Sequence, residues 1–187
     1  MKILFNKPYG VVCQFSKHDN HKTLKDFIPI PNVYPAGRLD TDSEGLIILT
    51  DDGIFQHQIS DPKYKMQKNY WVQVEGAPKD SDLEELRKGV DLGDFKTLPA
   101  EVKVINEPAI LWERIPPIRE RKMIPTTWLE IKISEGKNRQ VRRMTAAVGH
   151  PTIRLLRVAI GSFRLGDLAC GASRELTSDE RILLAAG

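Results

Sequence analysis

The chain has 187 residues, 41% of them apolar and 28% charged, enough for one full hydrophobic core with room for two lobes. Its apolar runs fall far short of the ~18 residues a membrane span needs, and Met1–Phe5 meets Asn6-Lys7-Pro8 too early for a secretory signal. Cys13 and Cys170 stand alone, which excludes a disulfide framework or a CxxC zinc site and fits a reducing cytoplasm.

Net charge is only +3, but it is unevenly spread. From Arg114 to Arg164 there are twelve Lys/Arg against three Glu, a net of +9, so the remainder carries −6. That asymmetry suits a basic surface facing a polyanion.

In chain order, Lys2–Asn6 reads as a short strand broken by Lys7-Pro8-Tyr9-Gly10, and Val11–Phe15 resumes an extended segment. Ser16–Lys22 is a polar loop. His18 and His21 fall there at a metal-like spacing but without further Cys, Asp or Glu in a ligand pattern, so no metal site is expected. Thr23 caps a short helix through Phe27, stopped by Pro29 and Pro31.

Val33–Ala36 ends one strand, and Gly45–Thr50 is a short apolar run that reads as a buried one. Between them, Pro35–Gly45 sets Asp40, Asp42, Glu44 and Arg38 in a turn with Gly37 and Gly45. A carboxylate framed by two buried strands is held where a reactive group needs to be. Taken alone, the same residues also make an ordinary polar turn.

Asp51 or Asp52 caps a helix over Ile54–Ser60, which Pro62 ends. Asn69–Glu75 alternates as a strand, with Tyr70, Val72 and Val74 on one face. Ser81 and Glu84 have capping-box spacing for a helix through Lys88, with Leu83, Leu86 and Val90 as its apolar stripe and Gly89 as its stop. Glu101–Ile105 is a strand. Asn106–Pro125 is irregular and carries four prolines with Trp112, Arg114, Arg119, Arg121 and Lys122. Loops of that length inside a compact domain tend to carry function, and these side chains suit phosphates and bases.

Thr127–Ile133 alternates as a strand. Asn138 caps a helix to Val148, with Gly149 just past its end. Its wheel puts Val141, Met144, Thr145 and Val148 inward, and Arg139, Arg142, Arg143 and Ala146 outward. Thr152–Ser162 is extended, with Arg154 and Arg157 set among apolar residues.

Three segments carry a family resemblance: Gly37-Arg38-Leu39-Asp40 followed by Ser43-Glu44-Gly45-Leu46; Lys68-Asn69-Tyr70; and Glu135-Gly136-Lys137-Asn138-Arg139-Gln140-Val141-Arg142-Arg143-Met144. In this order they resemble the motifs of the pseudouridine synthases, the last in the form of the ribosomal small-subunit synthase branch. Phe5-Asn6-Lys7-Pro8 and Pro116–Lys122 look most like members of that branch acting on large-subunit ribosomal RNA. The resemblance runs from about Ile3 to Gly166.

It implies an α+β fold: a mixed, mostly antiparallel central sheet flanked by helices, with a basic cleft. It also implies a single catalytic domain over residues 1–187, without the N-terminal RNA-binding module many relatives carry. The implied reaction breaks the N1–C1′ bond of a flipped-out uridine, turns the base and rejoins it through C5, with no metal or other cofactor. Asp40 matches the essential carboxylate. Family precedent leaves open attack at C1′, attack on the base, or removal of the 2′ proton. Each route needs an ionised carboxylate shielded from water, hence a fixed cation beside it, and Arg142 matches that position. Tyr70 matches the residue that stacks on the base, and Arg38 the one that enters the RNA where the uridine leaves. Lys137, Arg139 and Arg143, with Arg119 and Arg121 of the proline-rich loop, are expected to touch phosphates. The implied partner is ribosomal RNA, with the protein monomeric and away from membranes.

A rival class is a non-catalytic RNA-binding or ribosome-assembly protein, which explains the +9 segment but not the three ordered motifs. A methyltransferase would want a glycine-rich cofactor loop after its first strand and a deaminase a zinc pattern, and the sequence has neither.

Overall fold

The computed structural model describes residues 1–119, 121 and 123–185. Glu120 and Lys122 of the proline-rich segment lie outside the described residues. The chain is α+β and divides into two compact units, 1–66 with 157–187, and 67–156.

In the first unit, β1 (Lys2–Lys7) and β3 (Glu44–Thr50) pair antiparallel from Lys2↔Thr50 to Lys7↔Gly45. Every residue of β3 is buried, as the uninterrupted apolar run requires. β2 (Tyr34–Ala36) pairs with the far half of β3, and β9 (Ser173–Glu175) with the other edge of β1. Ile3, Phe5, Leu24, Ile28, Val33, Leu39, Ile47 and Leu49 form the core against these strands. Each such side chain taken from water contributes about 1.5–3 kcal/mol.

Helix α1 (Gly53–Ser60) begins where Asp52 accepts the N–H groups of Ile54 and Phe55 at 3.0 and 3.1 Å. Leu24–Asp26 forms a single 3-10 turn, and the Asp26 carboxylate accepts the Thr23 N–H at 2.8 Å. The extended segment expected at Val11–Phe15 has only an isolated bridge, Val12↔Thr23. Its backbone bonds to Lys22 and to its own turn in place of a ladder. The C-terminal tail, unassigned from sequence, forms α4 (Ser178–Ala185). A two-bond Arg174–Glu180 pair at 2.8 and 2.9 Å holds it.

In the second unit, β6 (Thr126–Ile133) pairs antiparallel with both β4 (Lys68–Glu75) and β5 (Glu101–Ile105). Tyr70, Val72 and Val74 alternate inward on β4 as their spacing predicts. They meet Leu83 and Leu86 of α2 (Asp80–Lys88) and Val141 and Met144 of α3 (Gln140–Ala147) in one core.

Two helix starts differ from the sequence reading. At α2 the Asp82 carboxylate accepts the Lys79 N–H at 2.8 Å, so the cap falls two residues before Ser81. Asp82 also meets the His150 ring at 3.0 Å, and these bonds hold its carboxyl below the ordinary carboxylate range. At α3 the cap is Arg139 in the left-handed region (φ 54°), not Asn138. Here Gln140 is buried, accepts the Lys137 N–H at 3.2 Å and donates to Glu135 at 2.7 Å. That pair of bonds sets the turn which Asn138 was expected to set.

Strand β7 (Thr152–Ile160) begins in the second unit and, from Arg157, continues in the first. There its end folds back on β8 (Phe163–Arg164). Among the described residues no helix is long and apolar enough to cross a membrane.

Candidate active site

In the first unit several bonds to its own backbone tie down the Gly37–Gly45 turn. Asp40 follows buried Leu39, and the Asp40 carbonyl accepts the Ser43 N–H at 3.1 Å, closing a tight turn. One residue on, the Thr41 carbonyl accepts the Gly10 N–H at 2.8 Å and lies 3.3 Å from the Lys7 ammonium.

Lys7 is fully buried. It ends β1 and turns its ammonium to three carbonyls, of Pro8 (2.8 Å), Val11 (2.9 Å) and Thr41 (3.3 Å). Burial pushes its pKa down to about 8, against electrostatic attraction from Cys13, Glu44, Asp42 and Asp40. The cation therefore does two things. It fastens the Lys7–Gly10 turn to the Asp40 turn, and it sets positive charge among the three acids.

The other end of the turn is held by Arg157, 3% exposed. Its guanidinium donates to the carbonyls of Gly37 (2.8 Å) and Leu46 (3.0 Å), with a longer contact to Arg38 (3.5 Å). One side chain thus bridges the first residue of the motif and the strand after it. Buried guanidinium persists where carbonyls take up its planar fork, as here. Arg38 itself is exposed.

The second unit carries the remaining expected residues. Tyr70, 8% exposed, faces the core opposite Ile131. Arg142 and Arg143 are half-buried on α3, while Lys137 and Arg139 are exposed just before it. Arg143 is engaged by Asp94 at 2.5 and 3.1 Å and by the Leu92 carbonyl at 3.2 Å.

The proline-rich segment has no helix or strand among its described residues, as its composition predicts, but it is anchored. Arg154, 4% exposed, donates to the Trp112 carbonyl at 2.9 Å, with its guanidinium 5.9 Å from the indole centroid. Arg114 donates to the carbonyls of Pro116 (2.9 Å) and Ile153 (3.4 Å). Arg119 and Arg121 stay exposed, with Arg121 3.8 Å from Glu75. Together with Ile118, Ile124 and residues of β4 and β6 they line a cavity of about 220 Å³.

Sequence reasoning missed the hold that Lys7 and Arg157 have on this turn. The signal was there for Arg157: a lone charge inside Leu155–Ile160 has to be buried, and a buried charge has to find partners. For Lys7 the only sign was its place in Phe5-Asn6-Lys7-Pro8, since its own chemistry before Pro-Tyr-Gly reads as that of an ordinary turn residue. The His18 and His21 rings lie 5.1 Å apart, and among the described residues no group of three or more metal-ligating side chains gathers.

Comparison with known proteins places the chain in a family. The family model described as RNA pseudouridylate synthase matches residues 2–147. The ribosomal large subunit pseudouridine synthase E of Vibrio parahaemolyticus is 59% identical over 174 residues, covering 93% of this chain and 73% of that protein. The protein of the same name from Xanthomonas axonopodis is 57% identical over 171 residues, covering 90% of each. The ribosomal small subunit pseudouridine synthase A of Escherichia coli is 38% identical over 181 residues, covering 95% of this chain and 71% of that one. A crystal structure of a pseudouridylate synthase superposes with a TM-score of 0.80 at 31% identity, over 96% of this chain and 71% of its own. The Gly-Arg-Leu-Asp turn, the tyrosine strand and the basic helix thus sit in a chain that belongs to the RNA pseudouridylate synthase family.

Proposed function

We propose that this pseudouridine synthase converts one uridine of large-subunit ribosomal RNA to pseudouridine, with Asp40 as the essential carboxylate. The observation that carries the choice of RNA is the 59% identity, over 93% of the chain, to a relative named for the large subunit. The hold on the Asp40 turn supports the choice of carboxylate. Its backbone is fastened at Gly37 by Arg157 and at Thr41 by Lys7. A reacting group held by rigid neighbours loses little entropy on reaching its working geometry.

The reaction is an isomerisation. The glycosidic N1–C1′ bond breaks, the uracil turns while held, C5 bonds to C1′, and the C5 proton is lost while N1 gains one. Asp40 acts as nucleophile at C1′, as nucleophile on the base, or as base for the 2′ proton, and all three need it ionised. Two roles rest on motif position: Arg142 supplies permanent positive charge, and Tyr70 the platform for the unstacked base. Base–aromatic stacking of that kind is worth about 1–3 kcal/mol. Arg38, exposed at the motif, fills the gap the uridine leaves. Lys137, Arg139, Arg143, Arg119 and Arg121 contact the RNA backbone. In this proposal the enzyme acts as a monomer in the cytoplasm, where free Cys13 and Cys170 are stable as thiols.

The test is incubation with unmodified ribosomal RNA, followed by mapping of pseudouridine. Wild type modifies one large-subunit uridine. Asp40→Asn modifies none while binding the RNA nearly as well. Tritium release from 5-labelled uridine RNA by Asp40→Asn would remove Asp40 from its role, and modification confined to small-subunit RNA would overturn the substrate.

A further inference from the structure

We propose that Tyr64, on the 3-10 turn that follows α1, is a stacking platform for one unpaired base of the RNA, and that Lys63 and Lys65 beside it meet the adjoining phosphates. All the residues concerned lie in the first unit.

The turn is Pro62–Tyr64, and it is pinned at both ends. At its start the Asp61 carboxylate accepts the Lys63 N–H at 2.8 Å and meets the His57 ring of α1 at 3.0 Å. At its end the Lys65 N–H donates to the Pro62 carbonyl at 3.1 Å. Met66 then packs on Gly161, in the bend between β7 and β8, where a Cβ on that glycine would lie 2.5 Å from the Met66 sulfur. Lys65 closes the turn in the left-handed region, φ 46°, a conformation that glycine takes without steric cost. The chain carries a lysine there instead.

Tyr64 is held by these neighbours and is yet 45% exposed. The His57 ring stands edge-to-face with it, the centroids 5.9 Å apart at 89°, and the Lys63 ammonium lies 4.9 Å from its centroid, within reach of a cation–π interaction. Both lysines are exposed, and the one acid of the turn, Asp61, is engaged by His57.

The turn also shares the frame of the Asp40 motif. α1 is fastened to the strand entering that motif, where Gln56 donates to the Pro35 carbonyl at 3.0 Å. Ile59 of the same helix lies against Gly37, 4.0 Å from where a Cβ would sit. Tyr64 follows Ile59 by five residues, at most about 18 Å of chain, which a few nucleotides of RNA span.

Lysine, aromatic and lysine on a pinned turn suit single-stranded RNA, since any base stacks on the ring and the cations track the backbone. The ring is already held, so little entropy is lost when a base meets it. The inference rests on the proposed large-subunit RNA only for its choice of probe.

The experiment measures affinity of the full chain for unmodified large-subunit and small-subunit RNA fragments by filter binding over a salt series. On the large-subunit fragment Tyr64→Leu weakens binding about five- to tenfold with the log–log salt slope unchanged, because lost stacking releases no counterions. Tyr64→Phe keeps the ring and stays within about twofold of wild type. Lys65→Gln lowers the slope by about 0.7, the value for one single-strand phosphate contact. Wild-type affinity of Tyr64→Leu for both RNAs overturns the platform. An equal loss in Tyr64→Phe overturns it too, since the hydroxyl and not the ring face then makes the contact. In the wild-type chain the RNA slows iodination of Tyr64, read by mass spectrometry. An unchanged rate overturns the platform even if Tyr64→Leu fails to fold by circular dichroism, and leaves the turn to a protein partner. Binding is read without turnover, so a ring effect confined to small-subunit RNA keeps the platform and removes the substrate of the proposed function.

Discussion

The backbone of Arg157 occupies the space that a side chain at Gly45 would need. A Cβ on Gly45 would lie 2.3 Å from the Arg157 carbonyl oxygen and 3.0 Å from its nitrogen, and Gly45 itself sits at φ +103°. The same Arg157 sends its guanidinium to Gly37 and Leu46. One residue therefore grips the Asp40 turn with its side chain and excludes any bulk at its far end with its main chain. Gly45→Ala pays twice, for the unfavourable φ and for overpacking, about 2–5 kcal/mol together. A lower urea midpoint and a fall in turnover are expected. A variant as stable as wild type would mean the strands do not approach this closely.

Arg157→Lys tests the grip separately. A lysine cannot present a planar fork to Gly37 and Leu46, and it leaves at least one buried carbonyl without a donor, at about 1–3 kcal/mol. Because those carbonyls flank Asp40, kcat is expected to fall by about tenfold or more while RNA affinity stays within error. Equal loss in kcat and in affinity would point to general unfolding instead of a displaced carboxylate.

Lys7 predicts a pH dependence of definite sign. Its folded pKa of about 8 lies below the ordinary lysine value of 10.5. Between these values the unfolded chain binds more protons than the native one, so stability rises with pH across that window. Below pH 8 the buried charge carries its full penalty, of order 3 kcal/mol for a shift of this size. Lys7→Met removes the titration. The difference in unfolding free energy, wild type minus Lys7→Met, is expected to rise between pH 8 and 10.5, measured by urea denaturation at each pH. A flat difference would mean that Lys7 keeps an ordinary pKa.

The proline-rich segment separates its arginines by role. Arg114 is held by the carbonyls of Pro116 and Ile153, while Arg119 and Arg121 stay exposed. Arg119→Glu with Arg121→Glu is expected to weaken RNA binding with a salt slope lower by about 1.4, for two lost phosphate contacts. Arg114→Gln should cost stability more than affinity. An unchanged slope in the double reversal would clear these two residues of phosphate contact.

Much of the fold was legible in local signals. The all-apolar β3 run, the alternation of Tyr70, Val72 and Val74, the Val141–Met144–Thr145 face of α3 and the Gly89 stop all follow from periodicity and backbone preference, which act over a few residues. The helix caps were less legible. At α2 Asp82 completes a capping box with Lys79 in place of Ser81 and Glu84, and it also meets the distant His150, while at α3 Gln140 is held by nearby Glu135.

The sequence by itself determined the strand and helix periodicities and the three motifs, which depend on residue type and spacing along the chain. The α+β class and the choice of Asp40 over Asp42 and Glu44 as candidate carboxylate came from what the resemblance of those motifs implies. Tertiary structure alone decided what holds that turn. Lys7 reaches Thr41 across 34 residues and Arg157 reaches Gly37 across 120. Both bonds end on carbonyl oxygens, which every residue carries, so no pattern of side chains could announce them. Only burial, by removing water as the competing partner, makes such bonds obligatory.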